Sequence, residues 1–257
     1  MGKFKYIINI NDITLIAEPM DLQTIDSVIA LVEANTINVD NFERLFGKEG
    51  EPEFEKSGAL LETSTEQLYA VLDNPEAYLS VVVKDSNNII IGFVNVQLKD
   101  IDGFERSINN FNFKEGFELK GDEWKKEIAA GKMSYKGDIV INKSNPHSAA
   151  FFILLYVISK ELYEIGKTKC VTEIFGITKY KYNGEVTDLN IYNRRSFEAQ
   201  VLGAGAYYVA DGSKSIINKD DKLAIEYYPK ILEHDLLKLF EICKSALSKK
   251  NIIVQKK

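Results

Sequence analysis

Apolar residues along this chain change period several times, and each change predicts an element. Tyr6–Ile10 and Ile13–Glu18 alternate with the two-residue period of strands around Asn11-Asp12, predicting a strand or short hairpin. From Asp21 to Val32 the spacing becomes helical, with Leu22, Ile25, Val28, Ile29 and Val32 on one face and Asp21 placed as a cap. A second short helix is expected within Asn35–Phe46, and the charged, Gly- and Pro-bearing stretch 48–58 reads as a surface loop. Thr63 and Glu66 make a capping box for a helix that stops near Asn74-Pro75. Tyr78–Lys84 and Ile89–Leu98 form the clearest hairpin, joined by Asp85, Ser86, Asn87 and Asn88.

Residues 100–132 break the pattern. They are polar but carry Phe104, Phe111, Phe113, Phe117 and Trp124, and are read as an insertion with a helix over Gly121–Ala130. Such a ring-bearing insertion serves either as a lid or wall to a cleft, or as a satellite apolar cluster. Beyond it, Gly137–Ile141 (GDIVI) predicts a buried strand, followed by the polar turn Asn142–Asn145 and Pro146 at a first helical position. Ala149–Ile158 is apolar without a break, the mark of a helix buried nearly all round, with Gly166 just past its end. Cys170–Ile177 is a second strand. Strand, crossover helix and strand in this order predict parallel neighbours, and the helix start at their mouth attracts anions such as phosphate.

The rest of the chain predicts a polar loop over Lys179–Asp188 and a helix over Tyr192–Leu202 ending at Gly203. Strands Ala206–Ala210 and Leu223–Tyr228 follow, then an amphipathic helix at about 233–248. Strand-like segments on both sides of the central unit are expected to complete one sheet in a single domain spanning 1–257.

Composition narrows the function classes. A net charge of −6 argues against general nucleic-acid binding, which needs a basic surface. The lysines at 179–181 and in the tail 249–257 read as solvated surface. With only Cys170 and Cys243, no disulfide framework exists, and a reducing, cytoplasmic location is expected. The N-terminal residues show no signal-peptide core, and the run Ala149–Ile158 is too short to cross a bilayer, so no membrane association is expected. His147 and His234 lack metal-ligand spacing, Ser148 lies in no nucleophile elbow, and Cys170 reads as a small buried hydrophobe.

Three stretches in this order resemble the GNAT (Gcn5-related N-acetyltransferase) superfamily, over roughly Ile13–Tyr228. They are YLSVVVKDSNNIIIGFVNV, GDIVINKSNPHSAAFFILLYVISKELYEIGKTKCVTEIF and NRRSFEAQVLGA. The resemblance implies an α/β fold with a mixed, splayed central sheet of about six to seven strands flanked by helices. It also implies acetyl-CoA or another acyl-CoA as co-substrate, held where the fourth and fifth family strands part, and a small-molecule or peptide amine as acceptor. Carried over by position, the cofactor-binding residues are Val140, Ile141, Asn142, Asn145, His147, Ser148, Ala149 and Asn193.

Two departures from the family pattern stand out. The pyrophosphate turn usually carries glycines that let the backbone wrap the phosphate, yet residues 144–150 contain none, and Pro146 removes a donor. Where the family often has a tyrosine as general acid, Ala199 or Gln200 stands, and no spacing argument selects Tyr192, Tyr207 or Tyr208 instead. Deprotonating the amine calls for a carboxylate near the parting strands, and Asp138 and Glu173 are the candidate general bases; each otherwise faces solvent or pairs with a lysine. His147 either contacts phosphate or caps the turn. Two functions follow: an acyl-CoA-dependent N-acyltransferase using direct transfer in a ternary complex, or a GNAT-fold binding or regulatory module without catalysis.

Overall fold

The structure is a computed structural model that describes residues 4–46, 65–98, 117–142, 149–188, 202–203, 205–208, 215–219 and 222–257. In chain order the elements are β1 (Tyr6–Ile10), β2 (Ile13–Glu18), α1 (Ile25–Asn35), α2 (Phe42–Phe46), α3 (Thr65–Asp73), β3 (Tyr78–Asp85) and β4 (Ile90–Gln97). They continue as α4 (Phe117–Ala129), β5 (Met133–Ile141), α5 (Ala150–Glu164), β6 (Lys169–Tyr182) and β7 (Glu185–Asp188). The chain closes with β8 (Gly205–Tyr208), β9 (Ser215–Lys219), β10 (Leu223–Asp235), α6 (Leu236–Lys249) and β11 (Ile253–Lys256).

The strands make one sheet in the order β11-β1-β2-β3-β4-β5-β6-β10-β8, with β7 added on β6 and β9 on β10. Strands from before and after residues 99–116 therefore share it. Among the described residues only the β5–β6 pair is parallel, as a strand–helix–strand crossover requires. The sheet is mixed and flanked by helices as expected, but the eleven strands it has among the described residues exceed the six or seven anticipated. The surplus has particular sources: the tail forms β11 on β1, and the segment read as a polar loop over Lys179–Asp188 continues β6 and turns at Asn183-Gly184 into β7. Cross-strand pairing, which a single-segment polarity pattern does not contain, decided both.

Local signals account for the helix ends. Asp21 does not cap α1 directly. Its carboxylate accepts from the amides of Gln23 and Thr24, making a turn one step earlier, so the helix begins at Ile25 and Leu22 is left exposed. Asp235, the last residue of β10, caps α6 by accepting from the Lys238 amide at 2.9 Å, so that helix starts after the expected position 233. Gly166 takes a φ of 84°, as the residue just past α5 should. Beside it Lys167 is buried and donates to the carbonyls of Leu98 (2.8 Å) and Met133 (3.1 Å), tying the exit of α5 to the ends of β4 and β5.

The core lies on both faces of the sheet. On one, Val81, Val83, Ile91, Val94 and Val96 pack against α5 and α6. On the other, Val82, Ile90, Phe93 and Val140 pack beneath α1 and α3. Each fully buried aliphatic side chain there contributes about 1.5–3 kcal/mol.

The described end of the insertion is α4. Trp124 is fully buried with Met133, Val171 and Ile231, and its indole N–H donates to Glu233. Met133 and Val171 belong to the part of β5 and β6 that remains paired, and strand alternation puts them on the face away from α5. This corrects the idea of a cleft wall for Trp124: the ring seals the closed end of the strand pair. Phe104, Phe111 and Phe113, together with the side chain of Phe117, lie outside the described residues.

Candidate functional site

β5 and β6 pair only from Met133 to Lys136 and from Lys169 to Thr172. The next two residues of β5, Gly137 and Asp138, stand opposite the single Asn95 of β4, because Lys136 pairs with Val96 and Ile139 with Val94. That is a β-bulge, which bends its strand and increases its twist. A Cβ on Gly137 would fall 2.1 Å from Asn95 Oδ1, so glycine lets the bulge close on its neighbour. Beyond it β5 follows β4 while β6 follows β10, and the two parallel strands part.

The gap is bounded at both ends. At its base lie the paired residues. At its far end β7 occupies the edge of β6 that β5 has left, pairing with Lys179–Tyr182. The open edge of β6 is thus Glu173–Thr178, about 20 Å of extended chain.

Of the cofactor-binding residues expected from sequence, Val140 and Ile141 lie on β5 past the bulge, Asn142 follows directly, and Ala149 precedes α5. Asn142 gives its amide to Ile91 O (2.8 Å) and its side-chain nitrogen to Ile90 O (3.0 Å). Backbone groups alternate along a strand, so the amide of Val140 also points to β4, and Ile141 is the residue of the three whose N–H faces the gap. Ala149 is buried at the start of α5 and provides no side-chain cap, and the first turn of α5 holds no acidic residue. The amides of Ala150, Phe151 and Phe152 have no acceptor inside the helix, as at any helix start. Asn145, His147, Ser148 and Asn193 lie outside the described residues, as do Ala199 and Gln200. Asp138 occupies the bulge, and Glu173 is the first residue of β6 past the paired segment, opposite Ile231 of β10.

Gly92 is a residue whose role the sequence did not reveal. A Cβ there would meet Leu154 Cδ1 at 2.9 Å and the Val140 carbonyl at 3.1 Å. Its absence allows the second turn of α5 to lie directly on β4 and sets where the helix start stands relative to β5.

At the base of the gap Lys136 and His234 are both buried, although no apolar pattern marked them. Burial lowers the His234 imidazole to about 3, helped by the Lys136 charge, and its Nδ1 has no hydrogen-bond partner. The same burial raises the thiols of Cys170 and Cys243, the latter to about 12, against a smaller opposing pull from Lys136. Both cysteines are therefore protonated, packed groups rather than nucleophiles. Among the described residues no cluster of His, Cys, Asp or Glu could hold a metal ion, and no helix is long and apolar enough to cross a membrane.

No protein-family model matches the sequence, and no curated protein is a significant match. Solved structures are similar in shape. An N-acetyltransferase from Staphylococcus aureus Mu50 shares 12% identity over 86% of this chain and 98% of its own, with a TM-score of 0.46. The ribosomal-protein-S18-alanine N-acetyltransferase from Escherichia coli shares 10% over 86% and 94%, at 0.45. A Bacillus halodurans protein without an assigned activity shares 9% over 97% and 98%, at 0.48. Among the described residues the chain itself has a mixed sheet, a parallel pair that parts beyond a bulge, and a helix between those two strands.

Proposed function

We propose that the chain is an acyl-CoA-dependent N-acyltransferase acting on an amine. The observation that carries this reading is the gap itself: a parallel pair that parts at Gly137-Asp138, with the second turn of α5 seated at Gly92 on β4, close to the Val140 carbonyl. A diphosphate suits the first turn of α5, where amides without an acceptor inside the helix and the positive end of the helix dipole favour an anion, and the turn itself holds no acidic residue. The extended arm of an acyl-CoA fits along β5, where Ile141 offers a backbone donor on the side facing away from β4.

In the transfer, the amine nitrogen attacks the thioester carbonyl carbon, the C–S bond breaks, and the CoA thiolate takes up a proton. The attacking amine loses one proton, for which Asp138 or Glu173, directly or through water, is the proposed base.

The test is release of free CoA thiol from acetyl-CoA in the presence of a panel of primary amines, with the acylated amine identified by mass. Amine-dependent thiol release is expected. Binding of acetyl-CoA without release moves the chain to the second reading, a non-catalytic binding or regulatory module, which the glycine-free segment 144–150 favours. Absence of binding overturns both the transferase and the acyl-CoA site.

A further inference from the structure

The gap between β5 and β6 is bridged by a stiff strap. On the β5 side, α1 packs with Val140 through Ile25, Val28, Leu31 and Val32. On the β6 side, Phe42 at the start of α2 stacks on Tyr182 (ring centroids 4.3 Å, interplanar 25°) and meets Tyr180 edge-on at 4.9 Å. Phe42 and Tyr180 are buried, so these are packed contacts rather than surface ones. The segment between the helices is held by its own hydrogen bonds. Asn41 Nδ2 donates to the carbonyls of Glu33 (2.8 Å) and Thr36 (3.0 Å), and its amide donates to Asn38 Oδ1 at 2.8 Å. Thr36 Oγ1 donates to Val32 O at 3.0 Å. Asn41 therefore joins the end of α1 to the start of α2, and the two helices act as one piece.

This piece grips one limb of the gap at each end. Tyr180 and Tyr182 stand about 26 and about 33 Å along β6 from Thr172, where the strands still pair, so α2 acts at the far end of the lever. A small displacement there changes the width of the whole opening.

We infer that Phe42 is a positioning residue for the gap: through Tyr180 and Tyr182 it fixes the spacing of the β5 and β6 limbs at the width an extended ligand occupies. This rests on the acyl-CoA reading for the identity of the ligand, while the spacing itself is measurable without one. Removing the ring frees the limbs to sample a range of widths, and binding then carries the cost of restoring one of them.

The test is a spin-label distance measurement on the full chain together with acetyl-CoA titration. Asn87 and Lys181, both exposed and outside the strap, are replaced by labelled cysteines; Cys170 and Cys243 are buried and stay unlabelled. The parent gives one narrow distance. Phe42→Ala broadens it and weakens acetyl-CoA binding at least fivefold, while Phe42→Tyr restores both. Phe42→Leu, which keeps apolar volume without the stacking, serves if the alanine variant fails to fold, and is expected to broaden the distribution as well. An unchanged distance in Phe42→Ala or Phe42→Leu, or a broadened one with unchanged affinity, overturns the inference. If the parent binds no acetyl-CoA, the functional reading fails and the distance measurement alone decides the role of the strap.

Discussion

Replacing Gly92 with alanine perturbs the gap at a single atom. The new Cβ would lie 2.9 Å from Leu154 Cδ1 and 3.1 Å from the Val140 carbonyl, where ordinary contact begins at 3.4 Å. Relief thus needs about 0.5 Å from one neighbour and about 0.3 Å from the other, and neither yields easily. Leu154 is fully buried under α5, and the Val140 carbonyl is backbone in a paired strand. Overpacking of this kind costs about 1–3 kcal/mol. Against it stands the gain of about 0.5–1 kcal/mol from removing a flexible glycine within a strand. The net expectation is a loss of about 0.5–2 kcal/mol, or ~1–8 °C in melting temperature for a chain of this size. Because α5 or the β5 limb must shift, acetyl-CoA affinity should fall as well. Urea unfolding and calorimetric titration measure the two effects. An alanine variant as stable as the parent and equally tight for acetyl-CoA would refute the claim that this glycine sets the seat of α5.

Lys167→Met leaves two carbonyls, those of Leu98 and Met133, without their shared donor and should cost about 2–3 kcal/mol in urea unfolding; a change below half a kcal/mol would argue that water takes over. Tyr6 lies in the core, its phenol raised well above the ordinary value by burial and then by Glu161, to which it donates at 2.5 Å. Tyr6→Phe should destabilise by about 1–2 kcal/mol and hasten amide exchange in β11, because Glu161 also holds Lys256 at 2.6 Å; unaltered exchange in β11 would separate the two contacts. The buried His234 gives a pH dependence. Its folded value is depressed from 6.5 to about 3, so its contribution is intact above pH 6.5 and is lost as pH falls from 6.5 towards 3. The slope should approach about 1.4 kcal/mol per pH unit in that window, and His234→Leu should flatten it; an equal slope in both proteins would assign acid sensitivity elsewhere.

The sequence was most legible where one element carries its own signal. The unbroken apolar run of α5, the alternation in β3 and β4, and Gly166 past the helix end each state a local preference that packing then reinforces. The parallel β5–β6 pair followed from the crossover alone. Where the outcome depended on partners distant in sequence, periodicity was silent. Nothing in Ile253–Lys256 announces pairing with β1, and the polar run at 179–188 forms strands because its first half pairs with β10 and its two halves pair with each other. The site divides in the same way. Residues 140–142 and 149 could be placed by position, but the bulge at Gly137-Asp138 needed the partner strand to be seen. Gly92 matters because of Leu154, on a helix some sixty residues on, and Phe42 because of two tyrosines at the far end of β6.

Calorimetric titration of the full chain with acetyl-CoA, run beside the Ser148→Asp variant, tests the acyl-CoA site most directly. Asp at position 148, two residues before the first residue of α5 in sequence, adds a negative charge that favours the positive end of a helix dipole by about 0.3–1 kcal/mol yet repels a diphosphate. The account predicts saturable binding to the parent, and in the variant weaker binding at equal or slightly higher melting temperature. No binding heat in the parent, or equal affinity in the two proteins, would contradict it.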